Sequence, residues 1–104
     1  MIYTFKSPAA ADVIMQRFSA EKILSIIGKN SGETGVITVG EMEVAVTRLE
    51  SEINMKERGA LLSPGQTSDH LENYEAVRLR ESAAPFIDLL KKSHQADVNV
   101  VWGL

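Results

Sequence analysis

The 104-residue chain contains no cysteine. Disulfides, thiolate nucleophiles and cysteine-bound metal ions are therefore excluded. A basic excess is missing too, because 11 Lys and Arg stand against 14 Asp and Glu, which gives a net charge of −3. Proteins that bind nucleic acid usually carry a basic footprint, so we expect no nucleic-acid partner.

Long apolar runs are also missing. No stretch approaches the about 20 residues that span a bilayer, so we expect no membrane partner. The apolar start of the chain is interrupted at Lys6, too early for the core of a signal peptide. We therefore expect a cytoplasmic protein. Its length and its 44% of hydrophobic residues are typical of a single domain over residues 1–104.

Alternating side chains predict a strand at each end of the chain. Residues 1–6 would place Tyr3 and Phe5 on one face and their neighbours on the other. Residues 98–102 alternate in the same way and end on Trp102, which we expect in the core.

Residues 8–16 allow two interpretations. Ser7 could cap a helix with Pro8 in its first turn, or a turn could lead into a second strand. The stiff, β-branched Val13 and Ile14 favour the strand. We therefore predict an N-terminal hairpin, which the C-terminal strand joins.

Two helices are predicted between the hairpin and residue 59. The first has Ser19 as its N-cap and ends at Gly28. The second runs over 39–58 and has Thr38 and Glu41 at the spacing of a capping box. Apolar residues recur in it at alternating spacings of four and three, as on one face of a helix.

A last helix is predicted to begin near residue 78, since the apolar residues before that point would lie on the opposite face of a continuous helix. Pro85 fits best in its first turns, or as a kink. Residues 59–74 are rich in turn formers and predict a mobile loop. The expected fold class is α+β: a small antiparallel sheet, made of the N-terminal hairpin and the C-terminal strand, packed by two or three helices.

Four blocks of the chain carry a family resemblance. They are residues 1–7 with 10–15, Leu24 with 27–29, 77–79 with 84–91, and 101–104. On these blocks the chain resembles a family of small bacterial proteins catalogued as domain of unknown function 1840. The resemblance supports the hairpin and the final strand, and it implies no activity, cofactor or catalytic residue.

No motif for chemistry stands out. The glycine-rich segment 28–35 follows a predicted helix, whereas a phosphate-binding loop follows a strand, so we interpret it as a connecting loop. Neither His70 nor His94 has a second histidine or a carboxylate at metal-ligand spacing. We assign no catalytic, cofactor-binding or metal-binding residue, and we favour a protein that is not an enzyme.

The preferred hypothesis is a non-catalytic interaction or regulatory module, because the apolar pattern predicts a coherent core and no reactive groups converge. Val44 and Met55 lie on the outward side of the second predicted helix, with Arg48 between them. We expect this seam to hold a protein partner or a weak homodimer.

The competing hypothesis is a small ligand-binding protein or enzyme whose site assembles from distant segments. Its candidate ligand contacts are Lys6, Asp12 and His94, together with the predicted loop over 59–74. It requires these groups to meet in one pocket.

Overall fold

The computed structural model describes residues 2–29, 34–62 and 69–103, with the side chains of 2–29, 34–56 and 78–103. Its elements are, in chain order, β1 (Ile2–Ser7), β2 (Ala10–Gln16), α1 (Arg17–Ile26), β3 (Gly35–Ile37), α2 (Val39–Leu62), α3 (Asp69–Gln95) and β4 (Val100–Trp102). The strands form one antiparallel sheet in the order β2-β1-β4-β3. The predicted α+β class, and the hairpin joined by the C-terminal strand, are therefore confirmed.

The core lies between one face of the sheet and the three helices. The ring of Phe5 on β1 packs edge-on against Phe86 of α3, with 4.8 Å between the ring centroids. Trp102 of β4 lies 5.8 Å from Phe5 by the same measure and is only 2% exposed. The prediction that Trp102 belongs to the core is confirmed.

The hairpin forms as predicted, because segment 8–16 contains the strand β2 and no helix. Strands β1 and β2 pair Thr4 with Ile14 and Phe5 with Val13. Phe5 is fully buried and Val13 packs against the core, so this pair marks the inner face of the sheet. Thr4 and Ile14 then point to the outer face, since successive side chains in a strand alternate.

A β-bulge interrupts this pairing near the hairpin turn. The next pair joins Ser7 to Ala10, which leaves Lys6 opposite two residues, Ala11 and Asp12. An extra residue of this kind bends the strand and re-aims the side chains beside it. The bulge therefore determines how Lys6 and Asp12 stand on the outer face.

Strand β3 was not predicted, and it completes the sheet beside β4. Its first residue, Gly35, pairs with Trp102. A Cβ added at Gly35 would lie only 2.7 Å from Cε2 of that indole and would come closer still to two other atoms of the ring. The tryptophan therefore lies directly on the glycine backbone, and this position has no room for a side chain.

The start of α1 differs from the prediction. The helix begins at Arg17, so Ser19 is not its N-cap. Strand β2 runs straight into the helix through Gln16, whose backbone is extended (φ −66°, ψ 151°) and whose side chain makes no capping hydrogen bond. No loop separates the two elements, and the capping rule therefore placed the boundary too late.

The end of α1 matches the prediction, because Gly28 takes the left-handed conformation with φ +82°. The N–H of Gly28 donates to the carbonyl of Ser25 and the N–H of Lys29 donates to that of Leu24, at 3.1 and 2.8 Å. This double closure is the Schellman motif, which satisfies carbonyls at a helix end.

Helix α3 ends in the same motif with a different residue. The N–H of Asp97 donates to the carbonyl of His94, and the N–H of Val98 donates to the carbonyl of Ser93. Asp97 has the left-handed φ of 60°. A left-handed aspartate is tolerated, although glycine adopts this conformation at lower cost.

Helix α2 starts as the capping box predicted. A side-chain oxygen of Glu41 accepts hydrogen bonds from the backbone N–H of Thr38, at 2.9 Å, and from its hydroxyl, at 3.0 Å. A second cap comes from the residue before β4, since Asn99 Oδ1 accepts from the N–H of Val39 at 3.1 Å. The predicted apolar positions face the core: Met42, Leu49 and Ile53 are buried, and Val46 packs against them.

The loop predicted over 59–74 is wrong in most of its length. Helix α2 continues to Leu62, and α3 begins at Asp69 rather than near residue 78. Gly59 costs only about 1 kcal/mol in a helix relative to alanine, and the good helix formers around it outweigh that cost. Residues 63–68 lie outside the described residues, and the mobility of the segment stays a prediction.

Pro85 lies well inside α3, and not in its first turns. Without an N–H it cannot donate to the carbonyl of Glu81, so the helix continues with one hydrogen bond fewer. Leu79, Ala83, Phe86 and Leu90 are buried on the predicted face.

Candidate functional site

The face of the sheet that the helices do not cover is the main candidate surface, and we call it the outer face. Side-chain alternation assigns its members from the buried residues beside them. They are Ile2, Thr4 and Lys6 of β1, Asp12, Ile14 and Gln16 of β2, Val101 of β4 and Val36 of β3.

Large apolar side chains on this face stay in solvent. Ile2 is 61% exposed, Ile14 62% and Val36 40%. Ile2 pairs with Gln16, two residues along from Ile14, so the two isoleucines are diagonal neighbours. Phe18, two residues past the end of β2, is 75% exposed. The two isoleucines therefore form a small exposed apolar group at the corner of β1 and β2.

The charged residues of the outer face are Lys6 and Asp12. Asp12 is one of the two β2 residues that the bulge places opposite Lys6, so one positive and one negative group lie side by side. Lys6 also pairs across to Val101 of β4, which in turn pairs with Val36 of β3. The outer face thus carries an apolar surface with balanced charge.

A shallow depression opens beside Lys6. It has a volume of about 630 Å³ and is lined by Lys6, Ser7, Pro8, Asp97, Val98, Asn99 and Val101. The side-chain oxygen of Asn99 is already engaged as the cap of α2. Lys6 and Asp97 are the charged members, and the walls between them are mostly apolar.

The predicted ligand contacts do not meet in one pocket. Lys6 and Asp12 are neighbours on the outer face, but His94 lines a separate depression of about 260 Å³ between α2 and α3. Asp12 lines neither of these depressions. The part of the predicted loop over 63–68 lies outside the described residues.

The seam predicted on α2 is exposed at both of its apolar positions. Val44 is 54% exposed and Met55 is 65% exposed. Arg48 does not lie free between them, because its Nη1 atom reaches within 2.7 Å of the position that a Cβ on Gly28 would take. The guanidinium thus lies at the C-terminal end of α1, where a cation is favourable.

Glu41 joins the end of α1 to the start of α2. One of its oxygens lies 2.6 Å from Nζ of Lys29. The hydrogen bond from Lys29, followed by that from the backbone N–H of Thr38, holds the pKa of Glu41 below its ordinary value. The shifted pKa arises from contacts that connect two helices, which is a role in the fold.

A hydrogen-bonded pair of serines, one of them fully buried, connects the hairpin to α3. Ser93 is fully buried, and its hydroxyl lies 2.7 Å from the hydroxyl of Ser7 and 2.7 Å from the carbonyl of Leu89. One hydroxyl has one proton to donate, so Ser93 donates to Leu89 and accepts from Ser7. In addition, the backbone N–H of Ala9 donates to Ser7 at 3.2 Å. These contacts tie the hairpin turn to the end of α3.

Among the residues that the structure describes, no three His, Asp or Glu side chains gather as a metal ion would require. None of the helices is long and apolar enough, over the residues described, to cross a membrane.

Sequence reasoning placed Ile2 on the face opposite Phe5, but it missed the outer face as a surface. Ile14 and Val36 were not singled out, nor was Phe18. The sequence did carry a signal for this surface: each strand of the hairpin has an isoleucine, Ile2 or Ile14, directly beside a residue that points into the core. Alternation alone could not say whether a second layer covers that side, because the covering elements come from distant parts of the chain.

The geometry defines a small antiparallel α+β protein, with helices on one face of its sheet and an apolar, charge-balanced surface on the other. Residues 1–102 match the family model described as Domain of unknown function (DUF1840), and the chain belongs to that family. No curated protein and no solved structure matches the chain.

Proposed function

We propose that this protein is a non-catalytic interaction module that binds a protein partner through its outer face. The observation that carries the proposal is the exposure of Ile2, Ile14 and Val36 on one side of a sheet whose other side is packed by all three helices. Contiguous exposed apolar surface is typical of protein interaction sites, whereas isolated apolar residues are not. The expected compartment remains the cytoplasm, which suits a chain without cysteine.

The outer face is a better candidate than the α2 seam. On the outer face Ile2 and Ile14 are diagonal neighbours and Phe18 follows close by in the chain. On α2, Val44 and Met55 are eleven positions apart, which is about 16 Å along a helix. A small partner surface could bury Ile2 and Ile14 together. To contact both Val44 and Met55, a partner would have to span three turns of α2.

Two matched variants test this proposal. The outer-face variant carries Ile2→Lys and Ile14→Lys, and the α2 variant carries Val44→Lys and Met55→Lys. Both replace two exposed apolar residues with lysine, so changes in charge and solubility are equal. Each is first checked for the wild-type circular dichroism spectrum and melting temperature.

A partner is then enriched from a lysate of the cells that express the protein, purified, and titrated against all three forms. We expect the outer-face variant to bind at least about tenfold more weakly than the wild type, because each lost apolar contact is worth about 1 kcal/mol or more. The α2 variant should bind normally. Loss of binding in the α2 variant alone would move the interface to the seam, and unchanged binding in both would contradict the proposal.

A second candidate function, small-ligand binding, is favoured by the depression beside Lys6. Its volume of about 630 Å³ falls in the range of ligand sites, and its charged members are Lys6 and Asp97. The test is a thermal-shift screen with small zwitterions, repeated on Asp97→Gly. This variant removes the carboxylate and suits the left-handed backbone, so its fold should be kept. A ligand that stabilises the wild type but not this variant would support the site, and equal stabilisation would exclude it.

A further inference from the structure

The arrangement of charge and size on the outer face is self-complementary. We infer that this face binds the same face of a second copy of the chain, giving a weak dimer in which the two sheets stack about a two-fold axis. The inference rests on the proposed function and names its partner.

Charge supports a second copy. The two-fold axis that we infer runs along the strands, midway between β1 and β2 and between the stacked sheets. It exchanges the positions of the two strands, so Lys6 of each copy faces Asp12 of the other. Lys6 and Asp12 are adjacent across the bulge, and one rotation therefore creates two opposite-charge contacts with no like charges facing.

Side-chain size follows the same rule. Thr4 pairs with Ile14, and Ile2 pairs with Gln16. The rotation places each isoleucine over the smaller or more polar member of the matching pair in the other copy. The isoleucines of the two copies are then offset from one another and do not collide, so they interdigitate as side chains do in the core between two packed sheets. An unrelated partner would have to supply this alternation independently, whereas a second copy supplies it by symmetry.

The area sets the strength of the association. A six-residue strand such as β1 is about 20 Å long, and two strands are about 10 Å wide. The stacked surface is then well below the about 800 Å² per partner that a stable, specific interface buries. We therefore expect a dimer that forms only at high protein concentration.

Charge reversal tests this arrangement by sedimentation velocity over about 0.01–1 mM, a range that covers weak dimers. Lys6→Asp gives an outer face with two carboxylates, and Asp12→Lys gives one with two ammonium groups. Each alone should raise the dimer dissociation constant by about tenfold, since two attractive contacts become repulsive. An equimolar mixture of the two variants should form a heterodimer at least as tight as the wild-type dimer.

The controls separate this inference from the proposed function. The α2 variant should dimerise like the wild type, and added salt should weaken the wild-type dimer. A wild-type chain that stays monomeric up to about 1 mM would overturn the inference. A dimer that ignores both charge reversals, or that is lost in the α2 variant, would also overturn it. If a different purified partner still binds the outer face of a monomer, only the second copy is excluded and the proposed function stands.

Discussion

Replacing Gly35 with alanine is the most direct test of how the sheet is built. The added Cβ would overlap the ring of Trp102, since it would lie 2.7 Å from Cε2 and closer still to two other ring atoms. Trp102 is 2% exposed and packs against Phe5, so its ring has no free space to move into. Overpacking in a core costs about 1–3 kcal/mol, and the depth of this overlap places Gly35→Ala toward the upper part of that range.

A cost of about 2–3 kcal/mol in a domain of this size lowers the melting temperature by about 10–20 °C. We would measure it by urea and thermal unfolding, followed by far-ultraviolet circular dichroism at one protein concentration. The matched control is Gly40→Ala, because nothing lies within 4 Å of a Cβ added there in the first turn of α2. This control should be neutral, or more stable by up to about 1 kcal/mol, since alanine is the better helix former.

The same steric argument predicts a rescue. Trp102→Phe removes ring atoms that the new methyl group would strike, so the double variant should be more stable than the sum of the two single effects by about 1 kcal/mol or more. If Gly35→Ala unfolds within about 0.5 kcal/mol of the wild type, or if the two effects simply add, then the ring does not lie against the backbone as described.

Three further predictions concern the polar contacts that join the elements. Ser93→Ala should cost about 1–2 kcal/mol in urea unfolding, because it removes a fully buried hydroxyl together with its hydrogen bonds to Ser7 and to the carbonyl of Leu89; an unchanged midpoint would contradict this. Asp97→Gly should stabilise the fold by about 0.5–1 kcal/mol by relieving a left-handed aspartate, and a lower melting temperature would refute the assignment of strain. The pKa of Glu41 is lower in the folded chain than in the unfolded chain. The ionised carboxylate therefore stabilises the fold at neutral pH, and this stabilisation is lost as the pH falls through the ordinary glutamate range and below. Stability of the wild type should accordingly fall more steeply than that of Glu41→Gln between about pH 5 and pH 3, and parallel curves would show that Lys29 does not favour the charged form.

The parts of the fold that sequence reasoning predicted correctly depend on local patterns. The hairpin follows from alternation and β-branched residues, and the start of α2 follows from the spacing of Thr38 and Glu41. Strand β3 was missed because three residues are too few to show a period, and because its pairing partner, β4, lies more than 60 residues further along the chain. Its local sign was the β-branched pair Val36 and Ile37, and its first residue, Gly35, is explained by Trp102 rather than by its neighbours.

The wrong boundaries have a common physical cause. Ser19 and the turn formers between 59 and 74 were given the structure that such residues favour in isolation. In the folded chain, β2 continues directly into α1, and α2 and α3 extend past Gly59 and back to Asp69. Favourable neighbours outweigh a single glycine such as Gly59, because a glycine costs a helix only about 1 kcal/mol relative to alanine.

The candidate surface shows the same division between local and distant information. Alternation around Phe5 correctly puts Ile2 and Lys6 on the side away from the core. The outer face stays exposed only because the three helices pack on the other side of the sheet. The alternation of residues within a strand does not indicate on which side the helices will pack. The seam of Val44 and Met55 was found from a helical wheel because α2 is a long, regular helix.

The pairing of β1 with β4 has a consequence for how the chain folds. Phe5 and Trp102 are neighbours in the sheet, although 97 positions separate them in the sequence. Two of the three pairings of the sheet, β1 with β4 and β4 with β3, therefore wait for the final strand, whereas the helical hairpin of α2 and α3 can form from nearer contacts. Closing so long a loop is entropically slow unless intervening segments have already shortened it. The order of events should thus run from the helices to the sheet, with the last strand inserting between two segments that are already in place.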